Sequence, residues 1–278
     1  MAAEPLIELR EVAFGYPGRP ALFESLSVAF GAGERVGLVG ANGSGKTTLL
    51  HLIVGLLRPA AGSVIVCGEA ARTEADFQQV RRRVGLLFQD SDDQLFCPTV
   101  IEDVAFGPLN LGAAPDEAEQ QALATLERLG IAPAADRPVH ELSGGEKRLV
   151  ALAGVLVMGP DVLLLDEPAA GLDPAARSTL EAVLADVEAG QIITSHDMEF
   201  VRATCRRVVL MQGGRLPADG PTDEILGDAE RMLAAGLEVP FSIEAEAAAT
   251  ADHTHGAGPG HGHGYRRRHP DRQHRPAR

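Results

Sequence analysis

The order of hydrophobic and polar positions predicts an alternation of short strands and helices. Residues 35–39 form an apolar run with β-branched members, which is typical of a buried strand, and the apolar residues 49–54 continue as a helix. Comparable runs predict strands at 6–14, 26–30, 63–68, 84–88, 161–166, 191–195 and 208–211. Further helices are predicted at 99–107, 115–129, 149–156 and 175–188. We therefore expect an α/β protein.

A glycine-rich loop lies between the strand 35–39 and the helix after it. A turn of hairpin type at 31–34 is predicted to lead from strand 26–30 into strand 35–39. The loop has the spacing G-x-x-x-x-G-K-[ST], in which curled backbone N–H groups and a helix N-terminus bind phosphates. Lysine reaches the terminal phosphates and the following hydroxyl binds Mg²⁺. Its residues are Gly40, Ala41, Asn42, Gly43, Ser44, Gly45, Lys46, Thr47 and Thr48. The chain is therefore expected to bind a nucleoside triphosphate.

Two carboxylates follow the buried strand 161–166 directly. In parallel α/β sheets the carboxyl ends of the strands meet at one edge, so Asp166 and Glu167 are expected beside the phosphate loop. Asp166 would hold Mg²⁺, directly or through water, and Glu167 would polarise an attacking water. His196 ends the next strand, where an imidazole can hydrogen-bond a terminal phosphate, although a structural role is equally compatible with its position.

Two further segments carry candidate ligand-binding residues. The turn Ser143-Gly144-Gly145-Glu146 precedes a helix and gives the chain a second helix N-terminus for an anion, although Ser143 is also an ordinary N-cap. Tyr16 lies on a loop before the phosphate loop, where it could stack on a nucleotide base or simply pack at the surface.

Composition limits the possible partners and compartments. The 278 residues are 45% hydrophobic, enough for a full core, and the formal net charge of −14 argues against a nucleic-acid binder. Three cysteines without CxxC spacing suggest neither disulfides nor zinc and fit a reducing cytoplasm. We expect neither a signal peptide nor a membrane span, and hence a protein that is soluble on its own.

Taken together, these motifs resemble the ATP-binding subunits of ABC transporters over residues 5–235. The resemblance implies that Tyr16 stacks on adenine, that residues 40–48 are the Walker A loop, and that Gln89 is the Q-loop glutamine, which senses Mg²⁺ and the membrane partner. Residues 142–146 match the family signature, so Ser143, Gly144, Gly145 and Glu146 would bind nucleotide. The remaining implied roles are the Walker B aspartate for Asp166, the general base for Glu167, the D-loop aspartate for Asp173 and the switch histidine for His196.

The family also implies an architecture and an assembly. A P-loop NTPase core of RecA type would carry an N-terminal antiparallel β subdomain and an α-helical subdomain at about 90–160, within an ATPase domain at 1–240. Two subunits, as a homodimer or heterodimer, would pack head to tail, with ATP between the Walker A loop of one and the signature of the other. A monomer should therefore bind ATP but hydrolyse it poorly.

A subfamily is indicated by the segments 94–96, 99–100, 103–108 and 110–112. They resemble the energy-coupling factor importers, and within that group most closely the cobalt and nickel ATPase subunits. This implies integral membrane scaffold and substrate-binding subunits as partners, a groove after the Q-loop for the scaffold's coupling helix, and a place on the cytoplasmic face of the membrane. Two positions depart from the pattern: Ala169 stands where Thr is usual, and Pro217 interrupts the strand at 215–216.

The segment 241–278 has the composition of a disordered tail rich in His, Gly and Arg. Two His-x-His pairs in it could chelate a transition metal, namely His253 with His255 and His261 with His263, or the tail could have no role.

Other functions stay open at this point. A vitamin importer of the same type would have the same motifs. A soluble ABC ATPase acting in DNA repair or on ribosomes would need a long insertion or two cassettes, whereas Gly40 and Gly144 are only 104 positions apart. A metal sensor with a vestigial ATPase is disfavoured by the intact Glu167 and His196.

Overall fold

The computed structural model describes residues 5–243 and 245–246. The predicted tail therefore lies almost entirely outside the described residues, including all four histidines proposed to chelate metal. At its start, Ser242 is described, and its main-chain N–H and hydroxyl donate hydrogen bonds to the Glu199 carboxylate at 2.9 and 2.7 Å. Within the described residues no helix is long and apolar enough to cross a membrane.

The first sheet is antiparallel and lies toward the N-terminus. Its strands are ordered β2-β1-β4-β5. They comprise β1 (Ile7–Phe14), β2 (Phe23–Phe30), β4 (Ala61–Val66) and β5 (Glu69–Ala71). The predicted antiparallel β subdomain is therefore present.

The second sheet contains the strand before the phosphate loop. Its order is β10-β9-β3-β8-β7-β6, and all neighbours are parallel except the antiparallel pair β9 and β10. Its strands are β3 (Arg35–Val39), β6 (Val84–Leu87), β7 (Val162–Asp166), β8 (Gly190–Thr194), β9 (Arg207–Gln212) and β10 (Arg215–Pro221). Since β3, β7 and β8 are parallel neighbours, their carboxyl ends meet at one edge.

Nine α-helices are found in the part of the chain that the structure describes in defined elements. They are α1 (Lys46–Ile53), α2 (Glu74–Arg83), α3 (Val100–Asn110), α4 (Pro115–Arg128), α5 (Gly144–Leu156), α6 (Pro174–Asp186), α7 (Met198–Thr204), α8 (Thr222–Gly227) and α9 (Ala229–Ala234). Helices α3, α4 and α5 pack on one another and form the helical unit that the sequence predicts near residues 90–160.

The parallel sheet separates two hydrophobic cores. Successive side chains of a strand point to opposite faces, so Leu163 and Leu165 join the core beneath α3–α7, whereas Val162 and Leu164 join the core shared with the antiparallel sheet and α1. Strands covered on both faces are expected to be continuously apolar. This explains why β7 and β8 are buried throughout and why their runs predict strands so clearly.

The predicted hairpin between strands 26–30 and 35–39 is wrong. Strand β2 pairs with β1 in the antiparallel sheet, and β3 pairs with β8 and β9 in the parallel sheet. The glycines at 31–34 do make a turn, in which Gly33 has φ +67°. However, this turn carries the chain from one sheet to the other.

The predicted interruption at Pro217 is also corrected. Strand β10 continues to Pro221, and its register against β9 shifts between Arg215 and Ala218, where Pro217 lies. Because β10 is an edge strand, a residue without an N–H is tolerated at this irregularity.

Candidate nucleotide site

The phosphate loop connects β3 to α1 as predicted, and two of its glycines are required by close packing. Gly40 has φ +157°, and a Cβ there would lie 2.2 Å from the Met211 carbonyl oxygen. Gly45 has φ +114°, and a Cβ there would lie 2.7 Å from the Phe23 ring. Both contacts are shorter than van der Waals distance, so the loop can take this path only with glycine at these positions.

Lys46, the first residue of α1, is folded back over the loop. Its Nζ donates to the carbonyl oxygens of Gly40 at 2.7 Å and Ala41 at 3.2 Å, and the residue is only 8% exposed. Burial lowers the pKa of the Lys46 ammonium, against the opposing effect of Glu167 and Asp166. The charge is thus held at the loop, where terminal phosphates would lie.

Asp166 lies beside the phosphate loop, as strand order predicts. The Thr47 hydroxyl donates to its Oδ2 at 2.6 Å, and the Thr194 hydroxyl donates to its Oδ1 at 2.5 Å. Asp166 and Thr194 are paired in register across β7 and β8. Sequence reasoning missed Thr194, whose only signal is a hydroxyl at the end of a buried strand.

Glu167 is buried in a strained backbone conformation. Its φ is +52°, a region that non-glycine residues occupy only at a cost of about 1–2 kcal/mol. Its main-chain N–H donates to the Thr194 hydroxyl at 3.0 Å. The imidazole Nδ1 of His196 lies 2.7 Å from Oε1 of Glu167. Burial raises the pKa of the Glu167 carboxyl, and this effect outweighs the opposing effects of His196 and Lys46.

These residues line one open cavity of about 710 Å³, hereafter the nucleotide cavity. Its wall includes Tyr16, six residues of the glycine-rich loop, Gln89, Asp166, Glu167 and His196. The Tyr16 hydroxyl lies 3.0 Å from the Thr48 hydroxyl, and its ring meets the Phe14 ring edge-on at 5.0 Å. The structure therefore brings together the residues predicted for the base, the phosphates and the chemistry.

The other predicted ligand residues do not line the nucleotide cavity. Ser143 caps α5, accepting from the Glu146 N–H at 3.3 Å while Glu146 accepts from the Ser143 N–H at 2.8 Å. Glu146 also pairs with Arg137 at 2.7 Å. Asp173 caps α6 by accepting from Ala176 N–H at 2.9 Å. In the single chain these residues therefore stabilise helix ends, while Ser143 and Asp173 stay exposed.

Gln89 connects the nucleotide cavity to a second cavity. The second one, of about 560 Å³, is lined by Thr47, Gln89, Asp166, Gly144 and Arg148 among others. Arg148 on α5 donates to the carbonyl oxygens of Phe88 and Gln89 at 2.8 and 2.6 Å. Sequence reasoning missed Arg148, because nothing in the charged run 146–148 distinguishes it from a solvated residue.

The oxygen atoms that meet at the loop fit Mg²⁺. A hydroxyl and a carboxylate already lie 2.6 Å apart at Thr47 and Asp166, and Mg²⁺ prefers few protein oxygens together with substrate phosphates. No group of three or more His, Cys, Asp or Glu side chains able to hold a metal ion occurs among the described residues. A magnesium site shared with phosphate needs only one carboxylate.

The fold and the site define a P-loop nucleotide-binding protein, and comparison with known proteins gives its family. Residues 23–170 match the family described as ABC transporter. A putative ABC transporter ATP-binding protein of Geobacter sulfurreducens is 45% identical over 86% of this chain and 96% of its own length. The chain belongs to the ABC transporter family, with the ABC ATPase fold, and is one of its ATP-hydrolysing members.

Three further similarities are more specific. The energy-coupling factor transporter ATP-binding protein EcfA of Methanothermobacter thermautotrophicus is 44% identical over 84% of this chain and 77% of its own. The cobalt import ATP-binding protein CbiO of Rhodobacter capsulatus is 42% identical over 86% and 87%. The structure of cbiO1 from Clostridium perfringens, described as part of the ABC transporter complex cbiONQ, superposes with a TM-score of 0.74. It is 32% identical and covers 88% of this chain and 99% of its own.

Proposed function

We propose that this chain is the ATP-hydrolysing subunit of an energy-coupling factor importer for nickel or cobalt ions. The observation that carries the proposal is the complete nucleotide cavity in a chain similar to EcfA, CbiO and cbiO1. It acts at the cytoplasmic face of the membrane with scaffold and substrate-binding subunits. Its ATPase domain spans residues 1–240, followed by the tail.

The proposed reaction is hydrolysis of the terminal phosphate of ATP. Glu167 accepts a proton from water as the water oxygen attacks the γ-phosphorus and the bond to the β-phosphate oxygen breaks. His196 Nδ1 orients the Glu167 carboxylate, and Lys46 binds the phosphates. Thr47, Asp166 and Gln89 would hold Mg²⁺, which neutralises phosphate charge when bound.

The remaining nucleotide ligands come from a second subunit in the proposed assembly. Ser143, Gly144, Gly145 and Glu146 do not line the nucleotide cavity of their own chain, and their helix N-terminus is at the surface. A helix N-terminus favours an anion. Head-to-tail pairing would bring this terminus and Asp173 to the neighbour's ATP.

Uptake of radioactive metal ions tests this function. Cells that express the chain with its membrane partners are assayed for ⁶³Ni²⁺ and ⁵⁷Co²⁺ accumulation, and Glu167→Gln is the matched control. We expect uptake of one of these ions, abolished by the substitution. Absence of metal uptake from cells whose assembled complex hydrolyses ATP would contradict the metal cargo and favour a vitamin importer of the same type.

A further inference from the structure

The segment that carries Gln89 is fastened to α5 by side chains with no assigned role. Strand β6 ends at Leu87, and the chain then enters the loop between the two cavities. Arg148 binds the two consecutive carbonyl oxygens of Phe88 and Gln89, at 2.8 and 2.6 Å. Both acceptors of its guanidinium are main-chain groups, so the contact fixes the path of the backbone.

A second side chain fixes the same point from the other direction. The Phe88 N–H donates to the side-chain oxygen of Gln94 at 3.1 Å, and the Gln94 amide nitrogen donates to the Ala151 carbonyl of α5 at 3.1 Å. The Phe88 ring also lies 5.9 Å from the ring of His51 on α1. The residue before Gln89 is therefore held between the helix of the phosphate loop and the helix that begins at Gly144.

The burial of Arg148 makes this contact costly for the fold. The residue is 7% exposed, and burial lowers the pKa of its guanidinium, while Asp90, Asp166 and Glu167 oppose that shift. Burying a charge is unfavourable unless its hydrogen bonds are made. An apolar side chain would fill this position more favourably, so the gain must lie in what the guanidinium holds, which is the backbone of Gln89.

We propose that Arg148 is a positioning residue for ATP hydrolysis, which couples α5 to Gln89. Since α5 begins at Gly144, a displacement of this helix toward a partner's nucleotide is transmitted through Arg148 to the Gln89 backbone. The side chain that lines both cavities is thereby brought to the reacting phosphates only when α5 is in place. This inference rests on the proposed role of Gln89.

A double-mutant cycle in the full-length chain tests the coupling. We measure kcat and the dissociation constant for ATP in Arg148→Met, Gln89→Ala and the double variant. Arg148→Met should lower kcat by about 10- to 100-fold, the effect of a small displacement in an active site. The dissociation constant should stay within about threefold, because Arg148 does not contact the phosphate loop. In the Gln89→Ala background the same substitution should add less than about a threefold loss, since Arg148 acts through Gln89.

A matched control separates positioning from folding. Arg207 is a partly buried arginine that also binds a main-chain carbonyl, that of Ala29 at 3.0 Å, but it lies on β9 away from Gln89. Arg207→Met should lower the melting temperature and leave kcat unchanged. If Arg148→Met does not fold, Arg148→Lys replaces it in the cycle, with a smaller loss of kcat and the same lack of additivity.

Three results would overturn the coupling. A wild-type kcat for a folded Arg148 variant would do so, as would losses in the cycle that multiply. A loss of kcat in Arg207→Met equal to that in Arg148→Met would indicate a general effect of destabilisation. A wild-type kcat for Gln89→Ala would instead contradict the proposed role of Gln89, and the coupling with it.

Discussion

Among single residues, Glu167 has the most unusual environment in the site. It combines burial, a left-handed backbone and a direct contact between its carboxylate and the imidazole of His196. Strain of this kind persists only where surrounding structure imposes it, and here the N–H bond to Thr194 fixes the backbone. The carboxylate is thereby aimed into the nucleotide cavity, as a general base requires.

The raised pKa of Glu167 predicts the pH dependence of hydrolysis. A base is active only when deprotonated, so kcat should be full above the pKa of Glu167 and fall as the pH falls through it. Because burial raises that pKa, the acid limb should lie above the range of an ordinary glutamate, near 4.5. Steady-state kcat measured across pH checks this. ATP binding at each pH is the control, and a kcat that stays flat down to the ordinary range would contradict it.

Lys46 is predicted to contribute to affinity through its charge. Hydrogen bonds to charged groups contribute about 1.5–3 kcal/mol, so Lys46→Ala should weaken ATP binding by about 10- to 100-fold. Calorimetric titration measures this, and Arg215→Ala, a substitution at a highly exposed arginine, is the control. Equal affinities of the Lys46→Ala variant and the wild type would argue against phosphate contact by this side chain.

How much of the site could be predicted depended on whether a residue acts through local or long-range structure. The loop glycines and Lys46 follow from spacing alone, and the approach of Thr47 to Asp166 follows from strands that end at one sheet edge. Thr194 and Arg148 were missed because their contacts depend on the order of β7 and β8 and on the docking of α5, neither of which is encoded locally.

At the scale of elements, α4 is held by a single apolar face. Ala118, Ala122 and Leu126 are fully buried against the core beneath α3–α7, while Leu123 on the same helix is 41% exposed. Spacings of four residues place the buried three on one side. The amphipathic period that predicted this helix is therefore the one that packs it.

Truncations on the two faces of α4 should differ in their effect on stability. Leu126→Ala leaves a cavity in a packed core and should cost about 2–5 kcal/mol, whereas Leu123→Ala should change stability by less than about 1 kcal/mol. Chemical denaturation of both variants gives the two values. Similar losses at Leu123 and Leu126 would mean that a partner covers the outer face or that α4 is not packed as described.

The fold was predictable where an element is strongly patterned and less so elsewhere. Strands β7 and β8 are apolar throughout, so their existence followed from sequence. Helix α2 was not predicted, because only Phe77 and Val80 of its ten residues are buried and its pattern is dominated by charge. The hairpin prediction at 31–34 failed because turn residues specify a reversal of the chain but not the sheet that receives it.

At the scale of the whole molecule, the predicted nucleotide ligands fall into two groups. One group lines the nucleotide cavity, and the other lies at exposed helix ends that begin at Ser143 and Asp173. A single chain cannot enclose ATP with both groups in this arrangement. The separation is what a composite site between two subunits requires, with each subunit giving one group to each nucleotide.

Mixing two inactive variants tests whether this chain forms such sites with itself. Lys46→Ala damages the phosphate loop, and Ser143→Arg blocks the exposed end of α5, so a homodimer of either variant has two defective sites. A mixed dimer pairs the intact loop of one chain with the intact signature of the other, and so restores one site of two. Since about half of the dimers are mixed in an equimolar sample, ATPase activity should recover to about a quarter of the wild-type value.

The same mixture excludes the alternatives by its controls. Mixing Lys46→Ala with Glu167→Gln, both of which damage the nucleotide cavity, should restore nothing, because each site contains one of the two damaged cavities. Recovery there would mean that subunits exchange more than the signature. No recovery with Ser143→Arg, in samples shown by sedimentation to contain ATP-dependent dimers, would contradict composite homodimer sites. The second subunit of the functional pair would then have to be a different ATPase chain.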